Sequence, residues 1–251
     1  MRHRGTIAIV LLFLGNFFSS AVAEQEFDYT KYLPRPVVEA ANAHQGVLLK
    51  YHGGSEGTNY DIANAILIEK DLWLTVGHFL KGLTAPATLS GSPITYNDIY
   101  LVPVFEDQDL DLVILKAAQP ISDKKPLALE RFVKDVVPFE DVYALSGFRE
   151  NYYADSVDLF YEKHLVGFQL PFQGKIVAAP KFPVPEKAKS VRLVFIDKMN
   201  RYGASGSPLF NRDGKIVGIL GYIHPGYTVV IASETVLSFL EKYYASRATT
   251  K

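Results

Sequence analysis

The sequence predicts an all-β protein with one helix at its end, on three observations. Short runs rich in Val, Ile, Leu and Tyr recur at close spacing, each bounded by Gly, Asn, Asp or Pro. They fall into two sets of six separated by a proline-bearing stretch. A single helical pattern follows the second set, with Val236, Phe239, Leu240 and Tyr243 on one face and Ser233 placed to cap it.

The first 23 residues stand apart from that fold. Arg2, His3 and Arg4 form a positive start, Ile7 to Phe18 an apolar stretch, and Ala21-Val22-Ala23 a small-residue cleavage site before Glu24. The apolar stretch is short for a membrane-spanning helix. Residues 1–23 therefore read as a signal peptide, and no stable membrane insertion is expected after its removal. Residues 24–45, with Pro34 and Pro36, read as an N-terminal arm or a propeptide, in which Val37 to Ala43 suits one or two helical turns.

The first set of strands comprises Gly46 to Tyr51, Ile62 to Ile68, Leu72 to Val76, Pro86 to Ser90, Asp98 to Val104 and Leu112 to Leu115. Six short strands suit one small antiparallel barrel, at about residues 46–116. A linker, 117–138, carries Pro120, Pro126 and Pro138. The second set comprises Val142 to Gly147, Val157 to Tyr161, Lys163 to Leu170, Val191 to Ile196, Lys215 to Leu220 and Thr228 to Ala232, and with the helix it occupies about 139–245. Arg212-Asp213-Gly214 marks a turn before Lys215.

Composition narrows the function classes. Without the leader, 24 Lys+Arg face 27 Asp+Glu, a balance that suits neither nucleic acid nor an anionic membrane. The chain has no cysteine, so an exported form has no disulfides to staple it. No Cys/His cluster is present to hold a metal, and no cofactor is expected. Oligomeric state is not encoded in any pattern found.

Chemistry concentrates in the run Gly203-Ala204-Ser205-Gly206-Ser207-Pro208. Flanking glycines permit a tight turn with unusual dihedrals. Such a turn pushes a serine oxygen outward and aims backbone N–H groups at one point, as acyl transfer requires. A serine hydroxyl needs a base, and the base an orienting carboxylate. His78 ends the apolar run Leu72 to Gly77, at the lip of a core. Asp111 leads directly into the buried run Leu112 to Leu115, where its charge must find a partner. Asp107 and Asp109 are rivals for that role.

Together these segments resemble the chymotrypsin-like (trypsin-like) serine peptidases, whose three residues come in the order His, Asp, Ser. Leu74-Thr75-Val76-Gly77-His78 matches the family's strand end before the histidine. Asp111-Leu112-Val113-Ile114-Leu115 matches its aspartate strand, which favours Asp111 over Asp109. Ser205 matches its serine turn, with Ala204 and Ser207 as departures. The spacings are 33 and 94 residues, and the resemblance spans roughly 45 to 245. Without cysteines, the chain is most similar to the bacterial glutamyl endopeptidases and HtrA-type protease domains.

The resemblance implies two six-stranded antiparallel β-barrels of the chymotrypsin-like fold in a peptidase domain spanning 46–251. It implies a serine endopeptidase acting on peptide or protein substrates, secreted or periplasmic in a bacterium. His78, Asp111 and Ser205 would be catalytic, and the backbone N–H groups of Gly203 and Ser205 would bind the oxyanion. Met199, Tyr222 and Ile223 would line an apolar substrate pocket. His224 is a weaker pocket candidate, beside Pro225-Gly226. Ala204 replaces the aspartate that the digestive branch pairs with a newly cut N-terminus, so that activation route is not expected. Ala63-Asn64-Ala65 stands where relatives carry Gly-x-Gly, a change expected to alter packing only. The alternative is a catalytically silent scaffold that keeps the fold.

Overall fold

Among the described residues, twelve strands close into two antiparallel barrels. The computed structural model describes residues 28–52, 59–80, 94–147, 169–177, 193–198, 203–224 and 226–249. A 3-10 turn at Tyr29–Lys31 falls in a separate N-terminal unit, Met1–Lys31; both barrels lie in the unit Tyr32–Lys251. No helix among the described residues is long and apolar enough to cross a membrane.

The first barrel contains β1 (Gln45–His52), β2 (Asn59–Glu69), β3 (Leu72–Val76), β4 (Ile94–Tyr96), β5 (Ile99–Asp107) and β6 (Leu112–Ala117), in the order β1-β2-β3-β6-β5-β4. β3 is buried along its whole length, which is why it reads as a nearly continuous apolar run, broken only by Thr75, rather than an alternating one. β5 shows the alternation of a half-covered strand: Leu101 points inward while Tyr100, Val102 and Val104 are exposed. Trp73 fills the barrel, tilted against Tyr96 at 4.7 Å between ring centroids. A ring of that size removes about 150–250 Å2 from water, roughly 4–6 kcal/mol of gross transfer energy. Gly46 makes the room, since a Cβ there would stand 2.6 Å from both rings. Asn97 and Asp98, both at positive φ, make the two-residue turn between β4 and β5.

The second barrel contains β7 (Asp141–Gly147), β8 (Gln169–Val177), β9 (Leu193–Ile196), β10 (Pro208–Phe210), β11 (Ile216–His224) and β12 (Tyr227–Ala232), in the order β10-β11-β12-β9-β8-β7. Val142, Ala144, Ile196, Leu209, Val217 and Val230 are part of its apolar interior. Among the described residues two α-helices complete the fold: α1 (Arg35–His44) and α2 (Ser233–Thr249). The predicted inner face of α2 is buried at Val236, Phe239, Leu240 and Tyr243. Ser233 is the helix's first residue rather than a side-chain cap, and its buried hydroxyl has no partner among the described residues.

Several elements differ from the sequence reading. β4 was not anticipated, because three residues are too few to show a period. The expected strands at Pro86 to Ser90 and Val157 to Tyr161 lie outside the described residues, as does the leader. β8 continues well past Leu170 through Pro171 and Gly174, two residues that read as breakers. Gly174 is needed there, since a Cβ would meet Ile196 Cγ2 at 2.2 Å. α1 is longer than one or two turns, and it buries Val37, Val38, Ala40 and Ala41 against β1, β2 and β7. The linker is tied to both barrels: Ile121 and Leu127 donate N–H groups to the carbonyls of Lys70 and Leu67, and Val133 to that of Ile216.

Candidate active site

His78 sits in a 3-10 turn, Gly77–Leu80, directly after β3. Asp111 sits directly before β6, the neighbour of β3 in the barrel, so the pairing of Val76 with Leu112 brings the two residues together. The Gly77 N–H donates to the Asp111 carbonyl at 2.8 Å and ties the strand end to the strand start. Asp111 adopts φ +55, a left-handed conformation unusual for a residue with a Cβ but tolerated by aspartate. That conformation turns its carboxylate back onto the histidine. Oδ1 accepts the backbone N–H of His78 at 2.6 Å, and Oδ2 lies 2.7 Å from ring Nδ1. The carboxylate is buried while the imidazole is part-exposed, at 7% and 26% of their side-chain surface. Nδ1 must therefore carry the proton, which leaves Nε2 as an acceptor.

Ser205 reaches that acceptor from the second barrel, its Oγ 3.1 Å from His78 Nε2. Its other polar neighbour is the Gly221 carbonyl, at 3.2 Å. Gly221 occupies an irregularity in β11, where the register shifts between Leu220 and Tyr222. A bulge of this kind re-aims local groups: the Gly221 carbonyl turns toward Ser205, and Tyr222 turns toward the histidine. The serine turn is bounded by Gly203 at φ +89 and Gly206 at φ +82. At Gly206 a Cβ would stand 1.9 Å from the Asn64 carbonyl oxygen, so only glycine fits. Among the described residues, the N–H groups of Gly203 and Ser205 donate to no backbone carbonyl. Ala204 packs into the apolar interior of the second barrel. An aspartate there would bury its charge among aliphatic side chains.

Of the expected pocket residues, Met199 and the side chains of Ile223 and His224 lie outside the described residues. The Tyr222 ring stacks on His78, 5.3 Å between centroids at 29°. Burial, and then the Asp111 carboxylate that its hydroxyl faces, push the Tyr222 phenol above its usual pKa. Asp107 and Asp109, the rivals of Asp111, take other roles or none. Asp107 accepts the Leu110 N–H and pairs with Lys242, and no bond from Asp109 to His78 is seen among the described residues.

Three residues at this site were not anticipated. Lys50, fully buried on β1, donates from Nζ to the Phe79 carbonyl at 3.1 Å and so supports the turn that carries His78. Its burial lowers its pKa, opposed by Asp61 at 3.7 Å. Asn64 was expected to alter packing only, and the structure corrects that. Its side chain reaches across from β2 to the Gly203 carbonyl at 2.9 Å, and its backbone N–H donates to the Ser205 carbonyl at 2.7 Å. Gln45 in turn donates to Asn64 Oδ1 at 2.9 Å. The signal was present in the polar residue between Ala63 and Ala65, inside the otherwise apolar run Ile62 to Ile68. A buried amide must find several partners; the first barrel supplies one, Gln45, and the second supplies the rest, Gly147 and Gly203.

Over residues 63–219, more than half its length, the chain matches the family model described as a trypsin-like peptidase domain. The protein belongs to that family. Among solved structures, this trypsin-like peptidase resembles the Rv3671c protease of M. tuberculosis in its active form. The TM-score is 0.56 at 18% identity, covering 82% of this chain and 83% of that one. An inactive form of Rv3671c with a serine-to-alanine substitution gives 0.57 at 17% identity, covering 84% and 92%. Likeness at that identity shows the shared fold. A search of curated protein sequences finds no significant match. Among the described residues of the peptidase, no group of His, Asp or Glu side chains is arranged to hold a metal ion.

Proposed function

We propose that this trypsin-like peptidase is an exported serine endopeptidase with Ser205 as nucleophile, His78 as base and Asp111 as orienting carboxylate. The observation that carries the reading is the unbroken chain Asp111 Oδ2, His78 Nδ1, His78 Nε2, Ser205 Oγ, at 2.7 and 3.1 Å. In the reaction, Ser205 Oγ bonds to the peptide carbonyl carbon while its proton passes to Nε2. The carbonyl oxygen gains negative charge and is met by the N–H groups of Gly203 and Ser205. His78 then returns the proton to the leaving amine as the C–N bond breaks. Water, deprotonated by the same imidazole, cleaves the acyl-enzyme. Asp111 keeps its charge throughout and stabilises the imidazolium.

The leader pattern in residues 1–23 supports export, with cleavage after Ala23, and the absence of cysteine fits a bacterial product of that kind. Labelling with a fluorophosphonate probe tests the chemistry. Wild-type protein is expected to be modified at Ser205, and Ser205→Ala protein not at all. A folded wild-type protein that stays unlabelled would instead be a silent scaffold.

A further inference from the structure

Asn64 lies in the seam between the barrels, fully buried, and every polar atom it has is engaged. Oδ1 accepts from Gln45 Nε2 and from the Gly147 N–H, both at 2.9 Å. Nδ2 donates to the Gly203 carbonyl at 2.9 Å and, more weakly, to the Gly147 carbonyl at 3.4 Å. The backbone N–H goes to the Ser205 carbonyl at 2.7 Å, and the backbone carbonyl accepts from Thr75 Oγ1 at 2.6 Å. The orientation of the amide is not free: a backbone N–H can only donate and a carbonyl can only accept, so Oδ1 must face the Gly147 nitrogen and Nδ2 the Gly203 oxygen.

These bonds act on the two peptide units that flank the Ser205 N–H. The unit joining Gly203 to Ala204 is held through its carbonyl by the Asn64 side chain. The unit joining Ser205 to Gly206 is held by the Asn64 backbone on its carbonyl and by the Leu220 carbonyl on its N–H, at 2.8 Å. The unit between them is pinned by Ser207 N–H on the Ala204 carbonyl at 3.1 Å. In a trans peptide the N–H points opposite to the carbonyl. Pinning the Ala204 carbonyl thus aims the Ser205 N–H the other way. Gly203 is the weak point, because a residue without a Cβ has little intrinsic preference at φ and ψ. The Asn64 amide supplies that preference by holding the Gly203 carbonyl.

We propose that Asn64 is a positioning residue for catalysis: a polar clamp from the first barrel that holds the serine turn of the second in its oxyanion-binding form. The inference rests on the peptidase reading above but concerns a residue that touches no substrate. Its effect belongs to the transition state, where charge develops on the oxygen, and not to ground-state binding.

Asn64→Ala and Asn64→Ser test it. Turnover of a chromogenic peptide is measured per active site titrated, together with hydrogen exchange of the Gly206 and Ser207 amides. The expected result is a fall in kcat of about 10- to 100-fold, as for a misplacement of around 1 Å, with KM changed by less than about threefold. Exchange at Gly206 and Ser207 should speed up while the amides of β3 and β6 keep their protection. Unchanged kcat per titrated site, or unchanged exchange at the turn, would overturn the proposal. So would a loss of protection shared by the whole of both barrels, which would make Asn64 a packing residue. If the wild-type protein cleaves no peptide, the peptidase reading fails, and the exchange measurement still decides whether the clamp exists.

Discussion

Asp111 holds His78 at two points, the backbone N–H through Oδ1 and the ring Nδ1 through Oδ2. One bond sets the turn and the other sets the tautomer, so the two functions can be separated by substitution. Asp111→Asn keeps the shape and tolerates the left-handed φ of +55. An amide nitrogen facing Nδ1 would force the proton onto Nε2, where it blocks transfer from Ser205. Turnover is expected to fall by roughly four orders of magnitude, while the thermal midpoint moves little. Peptide hydrolysis and a melting curve on the same sample check both halves.

Tyr222 separates in the same way. Its ring stacks on the imidazole and its hydroxyl faces the Asp111 carboxylate. Tyr222→Phe keeps the stack and removes the donor, and kcat/KM should fall by less than about tenfold, the scale of one typical net hydrogen bond at a part-exposed site. Tyr222→Ala removes both and exposes the His78–Asp111 pair to water, so its loss should be the larger. Equal losses in the two variants would show that the ring contributes nothing.

Gly206 is expected to be intolerant of the smallest change. A Cβ would enter within 1.9 Å of the Asn64 carbonyl oxygen and 2.3 Å of Thr75 Oγ1, at φ +82. Neither neighbour is a flexible chain end, since one is backbone and the other is bonded to it. Gly206→Ala should cost more than about 2 kcal/mol by urea unfolding and abolish fluorophosphonate labelling.

The barrels and the three central residues were legible in the sequence because each lies at a strand boundary. Val76 to Gly77, Asp111 to Leu112 and Gly206 to Pro208 are places where an apolar run meets a residue that does not belong in it. Strand limits were legible where a nearly continuous apolar run ended cleanly, as in β3, and lost where a Gly or Pro served packing, as at Gly174 and Pro171 in β8. Asn64, Gln45 and Lys50 were not legible as site residues. Their partners, Gly203, Leu145 and Phe79, stand 139, 100 and 29 residues away, and local pattern carries no information on such pairings.

The N-terminal arm gives a prediction about maturation. Val37, Ala40 and Ala41 of α1 are buried to 1% exposure or less, between strands of both barrels. Pro36 lies against the turn at Gly214, where a Cβ would stand 2.5 Å from the Pro36 carbonyl oxygen. Val37→Ala should cost about 1–2 kcal/mol. A chain starting at residue 46 should lose far more and yield little folded protein, whereas a removable propeptide would leave a stable, active product.

His44, at the end of the same helix, predicts the acid side of the stability profile. Its Nδ1 faces the Lys125 carbonyl at 2.7 Å. Burial lowers its pKa below the usual 6.5; the Lys125 carbonyl opposes that, and the charges of Arg131, Lys125 and Lys124 add to it. In the folded state the ring therefore resists a proton that the unfolded chain accepts. Above about pH 6.5 the ring is neutral in both states and stability is not affected. As pH falls through 6.5, the unfolded state binds more protons and stability declines, until the folded ring also titrates. Urea midpoints measured from pH 7.5 down to 5 should drop for the wild type and drop less steeply for His44→Gln. Equal slopes would assign the acid sensitivity to other groups.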